Sequence, residues 1–95
     1  MDDKAQFRRN PDYIYREIAG EAVLVPIGKA AESFFGIISI NSTGSFLWKI
    51  LEKQCSLREL SERLAREYEL EKDQSLRDVT EFLETALSHN IVIES

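Results

Sequence analysis

The sequence predicts an α+β protein in which a three-stranded antiparallel sheet is followed by three helices. Residues 13–40 contain short runs rich in aromatic and β-branched side chains, separated by turn residues, as strands are. Residues 41–90 instead space their apolar side chains by three and four positions behind polar capping residues, which is typical of helices. Strands followed by helices along the chain indicate the α+β class.

Length and composition indicate one small domain. The 95 residues are 43% hydrophobic, which is ordinary for a globular protein with a single modest core. No run approaches the roughly 18 consecutive apolar residues that a membrane helix needs. The beginning of the chain lacks the apolar block of a signal peptide. A single cysteine without an export signal favours a reducing compartment, so we expect a cytoplasmic protein that does not bind membranes.

The first twelve residues predict a flexible N-terminal tail. Residues 1–12 are polar and end in Asn10-Pro11-Asp12, a combination that favours a turn. Chain termini that nothing holds down are poorly ordered. The folded domain is therefore predicted to span residues 13–95.

Three strands are predicted after this tail. The first two, at residues 13–18 and 22–27, flank a turn at residues 19–21, whose glycine supplies a positive φ at little cost. A loop at residues 28–33 is predicted to lead into the third strand at residues 34–40. The three strands form an antiparallel meander, so the first and third are its outer strands.

Capping residues predict where the first two helices begin. Asn41 or Ser42 caps the first helix. Ser56 and Glu59 form a capping-box pattern that opens the second. The predicted apolar faces are Phe46, Leu47, Ile50 and Leu51 on the first helix, and Leu57, Leu60, Leu64, Ala65 and Tyr68 on the second.

The third helix is predicted to begin at a second capping box, formed by Ser75 and Asp78, and to end where Asn90 suits a left-handed cap. Its apolar stripe is about 140° wide at 100° per residue, whereas a stripe near 100° suffices to face a core. The Phe82 flank is therefore available to line a groove beside the sheet. The stripe consists of Leu76, Val79, Phe82, Leu83, Ala86 and Leu87.

The third strand is predicted to be an open sheet edge. Proteins usually protect an exposed edge with charged residues or proline, and residues 35–40 contain neither. On period-two alternation Ile38 and Ile40 share one face of the strand. Ile37 and Ser39 share the other. Such an edge suits the addition of a strand from another peptide, unless a helix covers it.

The chemistry of the sequence does not indicate an enzyme. The single histidine, His89, lies where a helix C-terminus favours positive charge. The single cysteine, Cys55, has no second cysteine or nearby histidine with which to form a metal site or an activated nucleophile. We expect no catalytic residue, no metal and no cofactor.

Three blocks of sequence carry a resemblance to a known family. They are residues 40–51 (Ile-Asn-Ser-Thr-Gly-Ser-Phe-Leu-Trp-Lys-Ile-Leu), residues 56–68, which are rich in Leu, Ala and Glu, and residues 78–83 (Asp-Val-Thr-Glu-Phe-Leu). In these blocks the chain resembles the family of coenzyme PQQ synthesis protein D, the stand-alone form of the RiPP recognition element. The segment 28–35 is longer than in PQQ-pathway members, so other peptide pathways stay open.

This resemblance implies a winged-helix-like fold that binds the leader region of a ribosomally made precursor peptide. The peptide is expected to add a strand in the cleft between the third strand and the third helix, and to be presented to a modifying enzyme, often of the radical SAM type. A monomer or weak homodimer is expected. Carried over by position, the peptide-binding residues are Gly36, Ile37, Ile38, Ser39 and Ile40 on the strand, and Val79, Phe82, Leu83 and Ala86 on the helix.

Two rival interpretations remain at this stage. The first is a winged helix-turn-helix regulator that binds DNA. Residues 73–90 hold four carboxylates and one arginine, which gives −3 with His89 neutral, and the chain carries −5. Phosphates would repel a recognition helix so charged, so we expect no nucleic-acid partner. The second is a structural dimer in which two third-strand edges pair.

Overall fold

The strands and helices follow the predicted α+β plan. A computed structural model describes residues 4–33 and 36–95. Within these ranges three strands, at residues 13–18, 21–26 and 38–39, form an antiparallel sheet in that order and pack with the helices, and a second, two-stranded sheet joins residues 7–9 to residues 92–94. The elements are β1 (Phe7–Arg9), β2 (Tyr13–Ile18), β3 (Glu21–Pro26), α1 (Gly28–Ser33), β4 (Ile38–Ser39), α2 (Ser42–Ile50), α3 (Leu57–Tyr68), α4 (Lys72–Ser88) and β5 (Val92–Glu94).

The predicted hairpin of the first two strands is confirmed. β2 and β3 pair along six residues each and end at the pair Ile18 and Glu21. The loop between them therefore has two residues, Ala19 and Gly20, with φ values of 53° and 83°. Two positive φ values belong to a type I′ turn, whose twist matches that of the flanking strands.

The third strand is shorter than predicted. β4 comprises Ile38–Ser39, and Ile40 continues its register by donating its N–H to the Ala22 carbonyl at 3.0 Å. Gly36 has a φ of 121°, which is not an extended conformation, so the ladder with β3 does not reach it. Residues 34 and 35 of the predicted strand lie outside the described ranges.

The predicted loop at residues 28–33 is wrong, because this segment forms helix α1. Its four central residues, from Lys29 to Glu32, include two alanines and are all strong helix formers. Ala30 lies partly buried against the core. Six residues are too few to show a helical periodicity, which is why the sequence pattern indicated a loop.

Residues 7–9 form a strand, whereas the sequence predicted a flexible tail over residues 1–12. Phe7–Arg9 forms β1, which pairs antiparallel with β5 at the other end of the chain. Phe7 is fully buried, and its backbone exchanges hydrogen bonds of 2.8 and 2.9 Å with Cys55. A buried phenylalanine and a distant strand partner therefore order a segment whose composition is polar, and the folded core includes it.

The caps predicted for the first two helices are confirmed. The Asn41 side chain accepts a hydrogen bond of 2.8 Å from the Gly44 N–H at the start of α2. At the start of α3 the Ser56 hydroxyl accepts from the Glu59 N–H, and the Glu59 carboxylate accepts from the Ser56 N–H. These bonds satisfy N–H groups that the first helical turn leaves without partners.

The start predicted for the third helix is wrong. α4 begins at Lys72, one turn before Ser75, and its N-cap residue Glu71 makes no side-chain capping bond. Ser75 is fully buried inside the helix, and its hydroxyl donates to the Ser61 carbonyl on α3. The serine therefore links α4 to α3. Its spacing to Asp78 matches that of a capping box, so the sequence alone cannot distinguish this contact between helices from a cap.

The end of α4 agrees with the sequence. Asn90 has a φ of 59°, in the left-handed region. Its N–H donates to the Leu87 carbonyl at 3.1 Å, and the next N–H, of Ile91, donates to the Ala86 carbonyl at 2.9 Å. This pair of bonds is the Schellman motif, which turns the chain out of α4 and into β5.

One hydrophobic core joins the inner face of the sheet to α2, α3 and α4. Trp48, 2% exposed, is its largest side chain. Leu76 is 43% exposed, so the apolar stripe of α4 facing the core is narrower than predicted. In the described ranges no helix is both long and apolar enough to cross a bilayer.

Candidate functional site

A groove runs between β4 and α4, and we call it the β4–α4 groove. It encloses about 430 Å³. Buried side chains from the core form its floor, and the start of α2 closes one end. The walls are Ile38, Ser39 and Ile40 on the strand side and Asp78, Glu81, Phe82 and Thr85 on the helix side, over a floor of Leu24, Trp48, Ala86 and Ile91.

The strand side of the groove presents a free backbone edge. β3 covers one side of β4, and within the described ranges no strand pairs with the other. Ile40 donates its N–H inward to β3, at Ala22. Because N–H directions alternate along a strand, Ile38 also points inward, while Ser39 directs its N–H and C=O outward. The outward groups are those that a further strand would use.

The helix side carries one large apolar side chain, Phe82. It is half-buried and packs against the core. A Cβ on Gly44 would lie 3.6 Å from the Phe82 ring and 3.3 Å from the Asn41 side-chain oxygen that caps α2. An added Cβ would therefore touch Phe82 at an ordinary contact distance and would crowd only the capping oxygen of Asn41.

The structure brings together part of the predicted peptide-binding set. Ile38, Ser39, Ile40, Phe82 and Ala86 all line the groove, with only 3% of Ala86 exposed in its floor. The alternation predicted for the strand is confirmed, because the first and third of these residues pack against the core while Ser39 is exposed.

Four predicted residues lie elsewhere. Val79 and Leu83 are fully buried core residues, so a peptide could not touch their side chains without opening the core. Gly36 and Ile37 precede β4 and do not line the groove, and Ile37 is 52% exposed. Val79 and Leu83 lie on the face of α4 that packs on the core, and Gly36 and Ile37 lie beyond the short ladder between β3 and β4. Both positions depend on how α4 and β4 dock.

Sequence reasoning missed the polar residues on the helix wall. Asp78, Glu81, Phe82 and Thr85 follow the spacing i, i+3, i+4 and i+7, so they share one face of α4. A search for apolar stripes passes over this face, because three of its four residues are polar. The same spacing rule applied to polar side chains would have indicated it.

The groove is acidic at its helix wall. Among the described residues that line it, only Asp78 and Glu81 are charged. Asp78 accepts a hydrogen bond of 2.8 Å from the Gln74 amide, and in the described ranges neither carboxylate has a cationic partner. An apolar trough with a free backbone edge and an acidic lip is suited to holding an extended peptide.

A comparison with protein-family models identifies the family of this chain. Residues 21–92 of the chain match the family model of coenzyme PQQ synthesis protein D (PqqD). The chain belongs to the PqqD family. The match includes both walls of the groove, and it confirms the resemblance found in the sequence. The comparisons with curated proteins and with solved structures each gave no significant match.

PqqD proteins are non-catalytic accessory proteins, and membership implies a part in the biosynthesis of PQQ or related ribosomally made products alongside a partner protein. The side chains of this PqqD-family chain fit an accessory role. Cys55 is buried in the core, and burial raises the pKa of its thiol, with Glu59 adding to the rise and Arg63 opposing it. A thiol held protonated is a poor nucleophile.

Other polar groups of this PqqD-family protein have structural roles. His89 is exposed at the end of α4, with its Nδ1 atom 2.9 Å from the Thr85 carbonyl. Across residues 4–33 and 36–95, no group of three His, Cys, Asp or Glu residues is placed to hold a metal ion.

A second depression lies on the other side of the start of α2. Its polar groups already bind one another: the Tyr15 hydroxyl accepts a bond of 2.8 Å from Ser45 and donates one of 3.0 Å to Glu17. The Lys49 ammonium lies 4.9 Å from the centre of the Tyr15 ring. With its polar groups satisfied in this way, the depression is a weaker candidate than the β4–α4 groove.

Proposed function

We propose that this PqqD-family protein captures the leader region of a ribosomally made precursor peptide by β-strand addition and presents it to a modifying enzyme. The observation that carries the proposal is the outward backbone of Ser39 at the open edge of β4, directly above an apolar groove. Family membership supports it independently.

Strand addition explains how one small surface provides both affinity and selectivity. A leader segment lying antiparallel to β4 forms main-chain hydrogen bonds with the outward groups of the edge, whatever its side chains are. Every second side chain of that segment then points into the groove, where Phe82 and Ile40 offer apolar surface. Backbone pairing supplies affinity and the groove supplies selectivity.

The enzyme that acts on the captured peptide is a separate protein, which in this family is often of the radical SAM type. A leader bound as a strand occupies only a few residues, so the part of the precursor to be modified stays free to enter another active site. A carrier role suits this chain, because the thiol of Cys55 is buried and the single histidine, His89, contacts the Thr85 carbonyl at the end of α4.

Ser39→Pro tests the proposal at its main step. Proline removes the outward N–H of the edge and leaves the bonds to β3 intact, since these come from Ile38 and Ile40. We expect this variant to fold and to lose binding of a synthetic leader peptide of the cognate precursor, measured by amide chemical shifts during titration. Shifts confined to α3 or β2 in the wild-type protein would contradict the proposal.

Two matched variants make this experiment interpretable. Ser39→Ala keeps the backbone N–H and should bind the leader as the wild type does. Ile38→Pro removes a donor that points toward β3, so it should lower the melting temperature as well as binding. If Ser39→Ala lost binding to the same extent as Ser39→Pro, the side chain and not the edge would be responsible.

The same variants separate the rival interpretations. Two copies pairing through β4 would form a dimer that Ser39→Pro dissociates and that the leader peptide leaves unchanged, as size-exclusion chromatography would reveal. DNA binding is disfavoured because Asp78 and Glu81 lie on an accessible face of α4, where they would repel phosphates. Retarded migration of duplex DNA with this protein would contradict that view.

A further inference from the structure

We propose that the β4–α4 groove selects peptides with a lysine or arginine two residues away from an apolar residue, both on the side of the added strand that faces the groove. The inference rests on the proposed function, because it specifies the class of peptide that the edge of β4 would accept. It concerns charge selection, which strand pairing by itself does not provide.

The first argument is the composition of the groove walls. Phe82 and Ile40 provide apolar surface, while Asp78 and Glu81 are the only charged side chains among the described residues of the lining. The groove is therefore not a purely apolar trough, and it offers a bound peptide negative charge without positive charge. An acidic side chain placed there would be repelled, and a basic one attracted.

The second argument is that this negative charge is not neutralised by the protein. Asp78 is bonded to the uncharged Gln74 amide, and Glu81 has no cationic partner among the described residues. The nearest basic residue of α4 in sequence, Arg77, does not line the groove; it lines a shallow depression on the outer side of the helix, which Glu81 also borders. A cation supplied by a ligand would therefore meet two carboxylates that form no ion pair with the described residues.

The third argument is the spacing. Side chains two apart on the added strand lie on one side of it, about 7 Å from each other. On the helix, Phe82 lies four residues after Asp78 and directly after Glu81, so acidic and apolar surface adjoin on one face. A lysine or arginine can lay its aliphatic stem on the Phe82 ring and reach a carboxylate at the lip with its charged end.

Selection from a displayed library tests this inference without a known ligand. The probe is a library of random peptides about ten residues long, the upper length of an ordinary strand. The full-length chain serves as bait, and peptides that also bind Ser39→Pro are removed, so that only edge-dependent binders remain. We expect the retained peptides to be enriched in lysine or arginine two positions from an apolar residue.

The retained peptides are then measured on two double variants that change the net charge equally. Asp78→Asn with Glu81→Gln neutralises the groove, whereas Glu67→Gln with Glu84→Gln neutralises exposed carboxylates that do not line it. We expect about a fivefold loss of affinity on the first and no change on the second, because a half-exposed ion pair is worth roughly that factor. Added salt should weaken binding to the wild type. Melting curves check that both variants fold.

The outcomes distinguish the two proposals. Edge-dependent peptides without enrichment in basic residues, or equal losses on both double variants, would overturn the charge selection and leave the proposed function standing. Peptides that bind wild type and Ser39→Pro alike, or a selection that yields no binders, would overturn the proposed function and this inference with it.

Discussion

Trp48 and Phe82 both contribute to the groove but differ in how much water reaches them. Trp48 is buried in the floor, with its ring facing the core and the Arg9 guanidinium 5.7 Å from the ring centre. Phe82 is half-buried in the wall. A ring sealed in a core stabilises the fold, whereas a ring left partly exposed at a groove has surface to offer a ligand.

Phe82→Ala should therefore weaken binding of the leader peptide by about 1–3 kcal/mol, if the ring is an anchor of the interface. The ring also packs on the core, so some loss of stability will accompany the substitution. Isothermal titration calorimetry, carried out well below the melting temperature of the variant, measures the free energy of peptide binding separately from this loss of stability.

Leu76→Ala is the matched control for Phe82→Ala. Leu76 lies on the same helix, is exposed and does not line the groove, so its truncation should leave the affinity for the leader unchanged. If both variants lost affinity equally, the effect would come from α4 as a whole and the assignment of Phe82 as an anchor would fail.

At the scale of the elements, the residues that end a helix determine how the chain leaves it. α3 stops at Glu69, whose φ of 51° lies in the left-handed region, and the following N–H of Leu70 donates to the Ala65 carbonyl at 3.0 Å. Left-handed backbone costs an ordinary L-residue roughly 1–2 kcal/mol, and glycine avoids that cost. The end of α3 is therefore a place where the sequence is not optimal for its own structure.

Glu69→Gly should raise the free energy of unfolding by up to about 1 kcal/mol, because it relieves this strain. The same change in the middle of the helix, Glu62→Gly, should lower it by about 0.5–1 kcal/mol, because glycine is a poor residue in a helix interior. Urea denaturation of both variants measures the difference. Two losses of similar size would show that the left-handed conformation at residue 69 costs nothing.

At the scale of the whole molecule, the two ends of the chain close the fold. β1 and β5 form a sheet of their own, and Phe7 inserts from it into the core between the helices. Ile91, which precedes β5, lies in the floor of the groove. By pairing with β5, β1 thus supports the segment that places Ile91 in the floor of the groove.

Phe7→Ala should therefore lower the free energy of unfolding by about 3–5 kcal/mol, as for other fully buried phenylalanines. This is a large part of the roughly 5–15 kcal/mol that stabilises ordinary proteins. Arg8→Ala, on the same strand but exposed, should change it by less than about 0.5 kcal/mol. Chemical denaturation compares the two, and an unaffected Phe7→Ala variant would mean that β1 does not close the core.

The sequence by itself determined the features whose hydrogen bonds form between near neighbours. The type I′ turn after Ile18, the Asn41 cap and the capping box of Ser56 all close over a few residues, so local side chains specify them. The open edge at Ser39 was also predictable, since the absence of charge and proline in that strand is a property of the sequence alone.

Only the tertiary structure decided what depends on distant partners. β1 forms because β5 offers it a strand and the core a place for Phe7, and α4 begins early because Ser75 finds the Ser61 carbonyl on another helix. Helical periodicity predicts which residues of α4 share a face, but it does not predict which face packs against the sheet. Docking therefore buried Val79 in the core and set Asp78 at the lip of the groove, because packing fixes the rotation of a helix against its neighbours.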